Sequence, residues 1–465
     1  MTTDHQKRSP FLYKNVFLFF GAALTARTSD RRYATLPMHS FHYSNGSLHC
    51  EGVSIADLAD EYGTPLYVYS SETFRDRYTR LDAAFSSINH EVAYAVKANS
   101  NLSILRLLAK MGSGFDIVSG GELFRVIKAG GDPGKCTFAG VGKTREEIEY
   151  ALRQGIYSIN VESEEEALFI NQVASELNLI APIAFRVNPN VDAKTHKYIS
   201  TGKSENKFGI DFEFILDAYK RASSLPNLKL KGLQMHIGSQ LTSVSPFVEA
   251  VEKVAPLAAD LKSNYDIEFF SIGGGIGIVY EQALASGSES WWTNQSDQTR
   301  PLTPEQYSSE IIPLLKPLGL KILLEPGRFI AGNAGILVTK CLYEKKGTSK
   351  TFKIVDSGMH HLIRPALYEG FHEIVTVAEP TDTIQSMDVV GPICESGDFF
   401  CQNRKVPNFE PGELIALMSA GAYGMVMATN YNSHPLPAEI LINGDQVQVA
   451  RKRQTFQNLV EGEEG

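Results

Sequence analysis

The sequence predicts an α/β protein: a closed parallel (β/α)8 TIM barrel, followed by a β-sandwich or barrel-like domain that also takes strands from the N-terminal side. Three observations lead there. Eight short β-rich runs alternate with helical stretches over about 240 residues, the length of such a barrel. The rhythm stops after Gly332, where short alternating runs with turn punctuation take over. The chemically unusual residues fall at the ends of the first, sixth, seventh and eighth runs, where a barrel of this kind carries its active site.

The eight runs are AYAVKA from Ala93, FDIVS from Phe115, CTFAG from Cys136, YSINVES from Tyr157, IAFRVN from Ile183, LQMHIG from Leu233, FFSIGGG from Phe269 and KILLEPG from Lys321. Segments such as REEIEYALRQG and FVEAVEKVAPLAADLK carry helical periodicity between them. A doubly wound open sheet is the alternative; eight regular units favour closure. After Gly332 the runs GILVTKCLYEK, TFKIVDSG, HEIVTVAE, MDVVGPICES, ELIALMSAGAY and AEILINGDQVQVARK read as strands with little helix. LHCEGV and PLYVYS precede the barrel and are expected to join them. The expected division is an extension over residues 1–37, a barrel over 71–332, and a β domain from 38–70 plus 333–465. The polar segment from Gln282 to Gln306, with Trp291 and Trp292, reads as a surface insertion after the seventh strand.

The 465 residues are 43% hydrophobic and 21% charged, ordinary for a globular chain of ample core. A net charge of −9 argues against nucleic acid as a partner, because a phosphate backbone is held by clustered cations. The five cysteines are scattered and odd in number, so neither a disulfide framework nor a CxxC metal site is written here, and a reducing cytoplasm is expected. The apolar stretch from Asn15 to Ala26 superficially resembles a signal peptide but is too short to span a bilayer. Residues 1–37 read as a disordered extension or a mis-assigned start, and no membrane partner is expected.

Lys97 ends the first strand run. A lysine there is poorly solvated, which is expected to lower its pKa and suits Schiff-base formation; a snorkelling cation is the plain alternative. His236 ends the sixth run. It is too isolated for metal, so no metal is expected. IGGGIG after the seventh run offers backbone N–H groups to a phosphate, although its glycine spacing is not that of a dinucleotide fingerprint. Glu325, in EPGR, ends the eighth. A carboxylate there can keep a pyridine nitrogen protonated, or simply pair with Arg328. AKTHKYISTGKSENKFG from Ala193 is expected to be a mobile loop closing over substrate, and Arg186 to brace the site.

Taken in order, YAVKANSN around Lys97, FDIVSGGEL, HIGSQ, GGGIG, EPGR, RPALY and CESGD resemble the fold-type III pyridoxal-phosphate decarboxylases over roughly residues 38 to 450. GNAG at Gly332, RPALY from Arg364, CESGD at Cys394 and GAYG at Gly421 are similar, within that group, to the diaminopimelate decarboxylases. The resemblance implies decarboxylation of meso-2,6-diaminopimelate to L-lysine, the last step of lysine synthesis. It also implies a pyridoxal 5'-phosphate cofactor and a homodimer with active sites shared across the interface.

Carried onto this chain, it makes Lys97 the Schiff-base lysine, His236 the stacking partner of the cofactor ring and Glu325 the partner of its nitrogen. Ser239, Gly274, Gly275, the backbone of Glu325, Pro326, Gly327 and Arg328, and Tyr423 would hold the phosphate. Arg328, Arg364, Tyr368 and Tyr423 would bind substrate. Glu395 would take an ammonium group, and Cys394 would deliver the proton, both from the partner subunit. Two arginines suit a substrate with a second carboxylate. The alternatives are a related decarboxylase of a basic amino acid or of carboxynorspermidine, an amino-acid racemase on the same barrel, and a non-catalytic regulatory homologue.

Overall fold

The computed structural model describes residues 39–192, 207–296, 301–380 and 383–463. The N-terminal extension and most of the loop from Ala193 lie outside the described residues.

Eight parallel strands close on themselves. They are β1 His90–Ala95, β2 Gly114–Ile117, β3 Cys136–Phe138, β4 Ser158–Val161, β5 Ala181–Asn188, β6 Leu228–Met235, β7 Phe269–Ser271 and β8 Lys321–Leu324. Each pairs with the next, and β8 returns to β1 through Ile322–His90, so the predicted barrel is what forms. The helices between the strands start where the sequence offers a cap. The side chains of Asn101, Ser119, Thr144 and Ser163 each accept a first-turn N–H, satisfying a donor the helix cannot. Strand alternation divides the side chains. Phe115 and Ile117, Cys136 and Phe138, Ile159 and Val161 join the core between barrel and helices. The residues between them face the lumen.

The second sheet is built around the long strand Gly335–Lys346. It pairs antiparallel with Leu66–Ser70, Thr351–Val355 and Leu414–Leu417. Leu66–Ser70 runs parallel to Ala438–Asn443, so a strand from before the barrel sits inside the sheet that follows it. The three strands before it do not enter that sheet. Phe41–Ser44, Ser47–Cys50 and Val53–Ser54 form their own sheet, whose Phe41, Leu48 and Cys50 pack on Ile336, Val338 and Ala416. The strand Phe399–Pro407, paired with Ile384–Val390, carries several charged and polar residues, and the sequence reading passed over it.

The segment from Gln282 is less superficial than its polarity suggests. Trp292 is buried and donates its indole N–H to the Ser286 carbonyl at 2.7 Å, and Ala283 and Ser286 are buried with it. Among the described residues no helix is long and apolar enough to cross a membrane.

Candidate active site

The C-terminal ends of β1, β2, β6, β7 and β8 bring one set of side chains to one mouth. Lys97 sits in a single turn, Val96–Ala98, directly after β1. Its Nζ lies 2.6 Å from Oδ2 of Asp116, whose side chain is wholly buried while that of Lys97 is 41% accessible. Here the expected depressed lysine is overturned. Burial pulls its pKa down, but the Asp116 carboxylate, acting by charge and by hydrogen bond, more than offsets that and leaves it raised. The amine is therefore held as a cation until something displaces the pair.

His236 follows β6. Burial, then the charges of Arg186 and Lys97, keep its pKa well below the ordinary value, so the ring is neutral. Gly274 donates its N–H to Nδ1 at 3.3 Å, which assigns the ring proton to Nε2. The glycine run threads between this ring and β8. A Cβ on Gly273 would lie 2.5 Å from the Met235 carbonyl, and one on Gly274 2.2 Å from the Glu325 carbonyl. Side chains there would close the cradle, which is why the run is glycine.

Glu325 is buried at the end of β8. It accepts from Ser271 Oγ at 2.6 Å and from Gln234 Nε2 at 3.0 Å. Burial, and then the charge of Asp116, push its carboxyl up to about 7. A buried acid with neutral donors is poised to take a proton-bearing cationic partner.

Beside the cradle, Ser239 Oγ accepts from Nε and Nη2 of Arg328, both at 3.1 Å, leaving its own proton for an oxyanion. Tyr423 has a left-handed backbone (φ 56°), donates its N–H to the Ala98 carbonyl at 2.8 Å, and places its ring 4.8 Å from the Arg328 guanidinium. Pro326 accepts from the Ala95 N–H at 3.0 Å, which fixes the backbone leading through Gly327 to Arg328 against β1. Lysine, imidazole, carboxylate, glycine cradle and Ser239 are together the donor set that a phosphorylated pyridine aldehyde requires.

Arg328 also reaches the other way. Its Nη1 donates to the Tyr280 hydroxyl at 2.5 Å, and the Arg364 guanidinium lies 4.7 Å from the Tyr280 ring centre. Arg364 in turn donates to Nε2 of His372 at 2.7 Å, while His372 Nδ1 donates to the Met418 carbonyl at 2.8 Å. Burial, then Arg364, hold His372 neutral, so it can accept. Both arginines are buried, yet among the described residues neither has a carboxylate partner. Two cations so placed, satisfied only by neutral groups, suit an incoming carboxylate. Tyr368 is half-buried in the same short helix as Arg364, and its phenol adds to the field at both guanidiniums.

Cys394 and Glu395 stand apart. They occupy an exposed turn of the second domain, held through its backbone: Cys394 N–H donates to Asn432 Oδ1 at 2.9 Å, and buried Asp398 accepts from Ile393 N–H at 2.7 Å and Met359 N–H at 2.6 Å. Among the described residues no hydrogen bond or ion pair joins either to Lys97, Arg328 or Arg364 within one chain. Arg186 pairs with Glu162 at 3.1 Å, and Glu162 also accepts from Gly209 N–H at 2.7 Å, so it ties the end of β5 to the far end of the loop. No three His, Cys, Asp or Glu side chains among the described residues gather closely enough to hold a metal.

Sequence reasoning missed Asp116, Tyr280 and His372. Asp116 was legible: a lone acid between Phe115 and Ile117 in a buried strand faces the lumen. Tyr280 and His372 carry no local signal and are found only through the arginines they touch.

Comparisons with known proteins agree with this geometry. Residues 71–332 match the family model of the pyridoxal-dependent decarboxylase pyridoxal-binding domain. The chain is 44% identical to diaminopimelate decarboxylase of Vibrio cholerae over 91% of its own length and 98% of that protein. It is 45% identical to that of Haemophilus influenzae, with the same two coverages. Among solved structures, diaminopimelate decarboxylase of Helicobacter pylori complexed with L-lysine superposes with a TM-score of 0.80 at 41% identity, covering 87% of this chain and 98% of that one. The M. jannaschii enzyme in complex with L-lysine gives 0.84 at 35% identity, covering 93% and 99%.

Proposed function

The chain belongs to the pyridoxal-dependent decarboxylases and, within them, to the diaminopimelate decarboxylases, and from that premise we propose how its residues divide the work. It is a carboxy-lyase that takes pyridoxal 5'-phosphate and converts meso-2,6-diaminopimelate to L-lysine and CO2. The observation that carries the assignment of roles is the pair of buried arginines around Tyr280, which among the described residues have no carboxylate of their own.

When bound, the cofactor supplies an electron sink for the bond that breaks. Lys97 is the amine that would hold its aldehyde, released for that role from Asp116. Neutral His236 would lie flat against the ring, and Glu325 would hold the proton at the ring nitrogen. Ser239, Gly274, Gly275, the backbone from Pro326 through Arg328, and Tyr423 would cradle the phosphate. Arg328 and Arg364, with Tyr368, would grip the carboxylate that substrate retains. A bidentate grip there orients the opposite end, the one that loses CO2, toward Lys97.

Cys394 and Glu395 complete the site from a second copy of the chain, the thiol delivering a proton and the carboxylate taking the distal ammonium. An exposed turn held through its backbone, with no hydrogen bond or ion pair to Lys97, Arg328 or Arg364 among the described residues, supports that reading. The working protein is then a homodimer in the cytoplasm, with the cofactor carried by residues 71–332 and the turn by the β domain of 38–70 plus 333–465. A decarboxylase of ornithine or arginine would have no use for Arg364 placed as it is.

The test is CO2 release from meso-diaminopimelate beside ornithine, arginine and carboxynorspermidine, with Lys97→Ala as control. Release from diaminopimelate alone, abolished by the substitution, is expected. Release from ornithine or arginine instead would overturn the role given to the two arginines.

A further inference from the structure

The lumen of this barrel is built unlike its exterior. A (β/α)8 lumen is ordinarily filled by layers of branched aliphatic side chains. Here Ala184, Phe269 and Leu323, with Tyr157, form a small apolar floor of their own. Gly232 makes room for it: a Cβ there would lie 2.4 Å from the Phe269 ring. The polar inward positions are Asp116 on β2, Thr137 on β3, Ser158 and Asn160 on β4, Gln234 on β6 and Ser271 on β7. Their sequence neighbours Phe115, Phe138, Ile159, Leu233 and Phe270 all belong to the outer core.

Register lines these groups up. Thr137 is the direct neighbour of Asp116 on one side and of Ser158 on the other, and Gln234 is the neighbour of Ser271. The small side chains of Ala93, on β1, and Ala184 do not fill the space as branched ones would. Asp116 Oδ1, Thr137 Oγ1, Ser158 Oγ, both amide atoms of Asn160, and Gln234 Oε1 are buried without a protein partner. Buried polar atoms in folded proteins are almost always satisfied, by protein or by ordered water, and these donors and acceptors all point inward from neighbouring strands of one barrel. The row ends on chemistry at both sides. Asp116 gives its other oxygen to Lys97, and Gln234 gives its amide to Glu325.

We infer that the upper lumen is a hydrated polar well, in which Thr137, Ser158, Asn160 and Gln234 hold water against Asp116 and Glu325 and so act as positioning residues for Lys97 and for the ring-nitrogen partner. The water separates two carboxylates that would otherwise face each other across a dry barrel, and it lets each keep its own cationic partner. The inference rests on the roles proposed for Lys97 and Glu325, but not on the identity of the substrate.

The test uses the holoenzyme and two readouts that need no substrate: the thermal midpoint, and the pH titration of the bound cofactor's absorbance. Thr137→Val is nearly isosteric. If the hydroxyl holds water, the midpoint falls by roughly 1–2 °C for a lost water-mediated bond in a chain of this size. The titration also shifts, and Thr137→Ser restores both. Ser158→Ala and Asn160→Leu are expected to move both readouts the same way; should Asn160→Leu not fold, the two hydroxyl variants decide. A midpoint that rises in Thr137→Val means the hydroxyl was dry and overturns the well. A midpoint that falls while the titration stays put overturns the positioning role. Failure to act on meso-diaminopimelate, with both readouts moving as expected, would sink the substrate reading and leave the well intact.

Discussion

At the barrel mouth Lys97 rests on a wholly buried carboxylate, and Glu325 is enclosed by Ser271 and Gln234. On the turn of the second domain Cys394 and Glu395 are exposed, and what is buried there is the bracket behind them, Asp398. The side chains at the mouth are held by other side chains of the same chain. The turn is held through its backbone and presents its side chains outward. The difference teaches where to look for the rest of the site. A reactive group that its own fold orients and encloses needs no second molecule, whereas one that is braced from behind and left open is built to meet another surface.

The largest test of this contrast is subunit mixing. Lys97→Ala and Cys394→Ala are each expected to abolish decarboxylation. Unfolded and refolded together, they should regain about a quarter of wild-type activity, because half the dimers then carry one intact site of two. If the turn served its own chain, every mixed dimer would carry two broken sites and nothing would return.

Next comes the stability difference between the regions. In the cofactor-free protein Glu325 keeps its proton up to about pH 7, while an unfolded chain releases it near about 4.3. Between those values the folded state holds the extra proton, so stability declines as pH rises through the window and levels off above it. Glu325→Gln should remove that decline, a difference on the order of 3 kcal/mol in urea melts taken at either end of the window. Glu395→Gln on the exposed turn should leave the melts within about 0.5 kcal/mol. A matching loss at Glu395 would mean that its carboxylate is held as firmly by its surroundings as that of Glu325.

Arg364→Ala should lower kcat/KM for meso-diaminopimelate by about 10- to 100-fold, the loss of a charge-assisted grip, with the fold intact by circular dichroism. Tyr280→Phe is the mildest. It removes the hydroxyl that Arg328 uses but keeps the ring near Arg364, and a rise in KM of roughly tenfold is expected, the low end of what a hydrogen bond to a charged group contributes. An effect as large as that of Arg364→Ala would move Tyr280 from support of the arginines to direct contact with substrate.

Much of this was legible in the linear sequence. Local periodicity is a property of neighbours in the chain, so the eight βα units, their closure and the change of rhythm after Gly332 could be read directly. So could the strand-end placement of Lys97, His236 and Glu325, because alternation and strand length decide which residue reaches the mouth. What depends on partners far along the chain could not be read. The charge state of Lys97 was misjudged because alternation places Asp116 in the lumen but does not say that its carboxylate meets Lys97 across the adjoining strands. Tyr280 and His372 became visible only once β7, β8 and the second domain were brought together around Arg328 and Arg364. That PLYVYS joins the sheet after the barrel was read correctly, but its place between Gly335–Lys346 and Ala438–Asn443 is set by the shared core and not by order in the chain. Sequence by itself determined the elements and the kind of chemistry. Tertiary structure alone decided which charges meet, because electrostatic pairing acts over a few ångströms of space regardless of how many residues lie between.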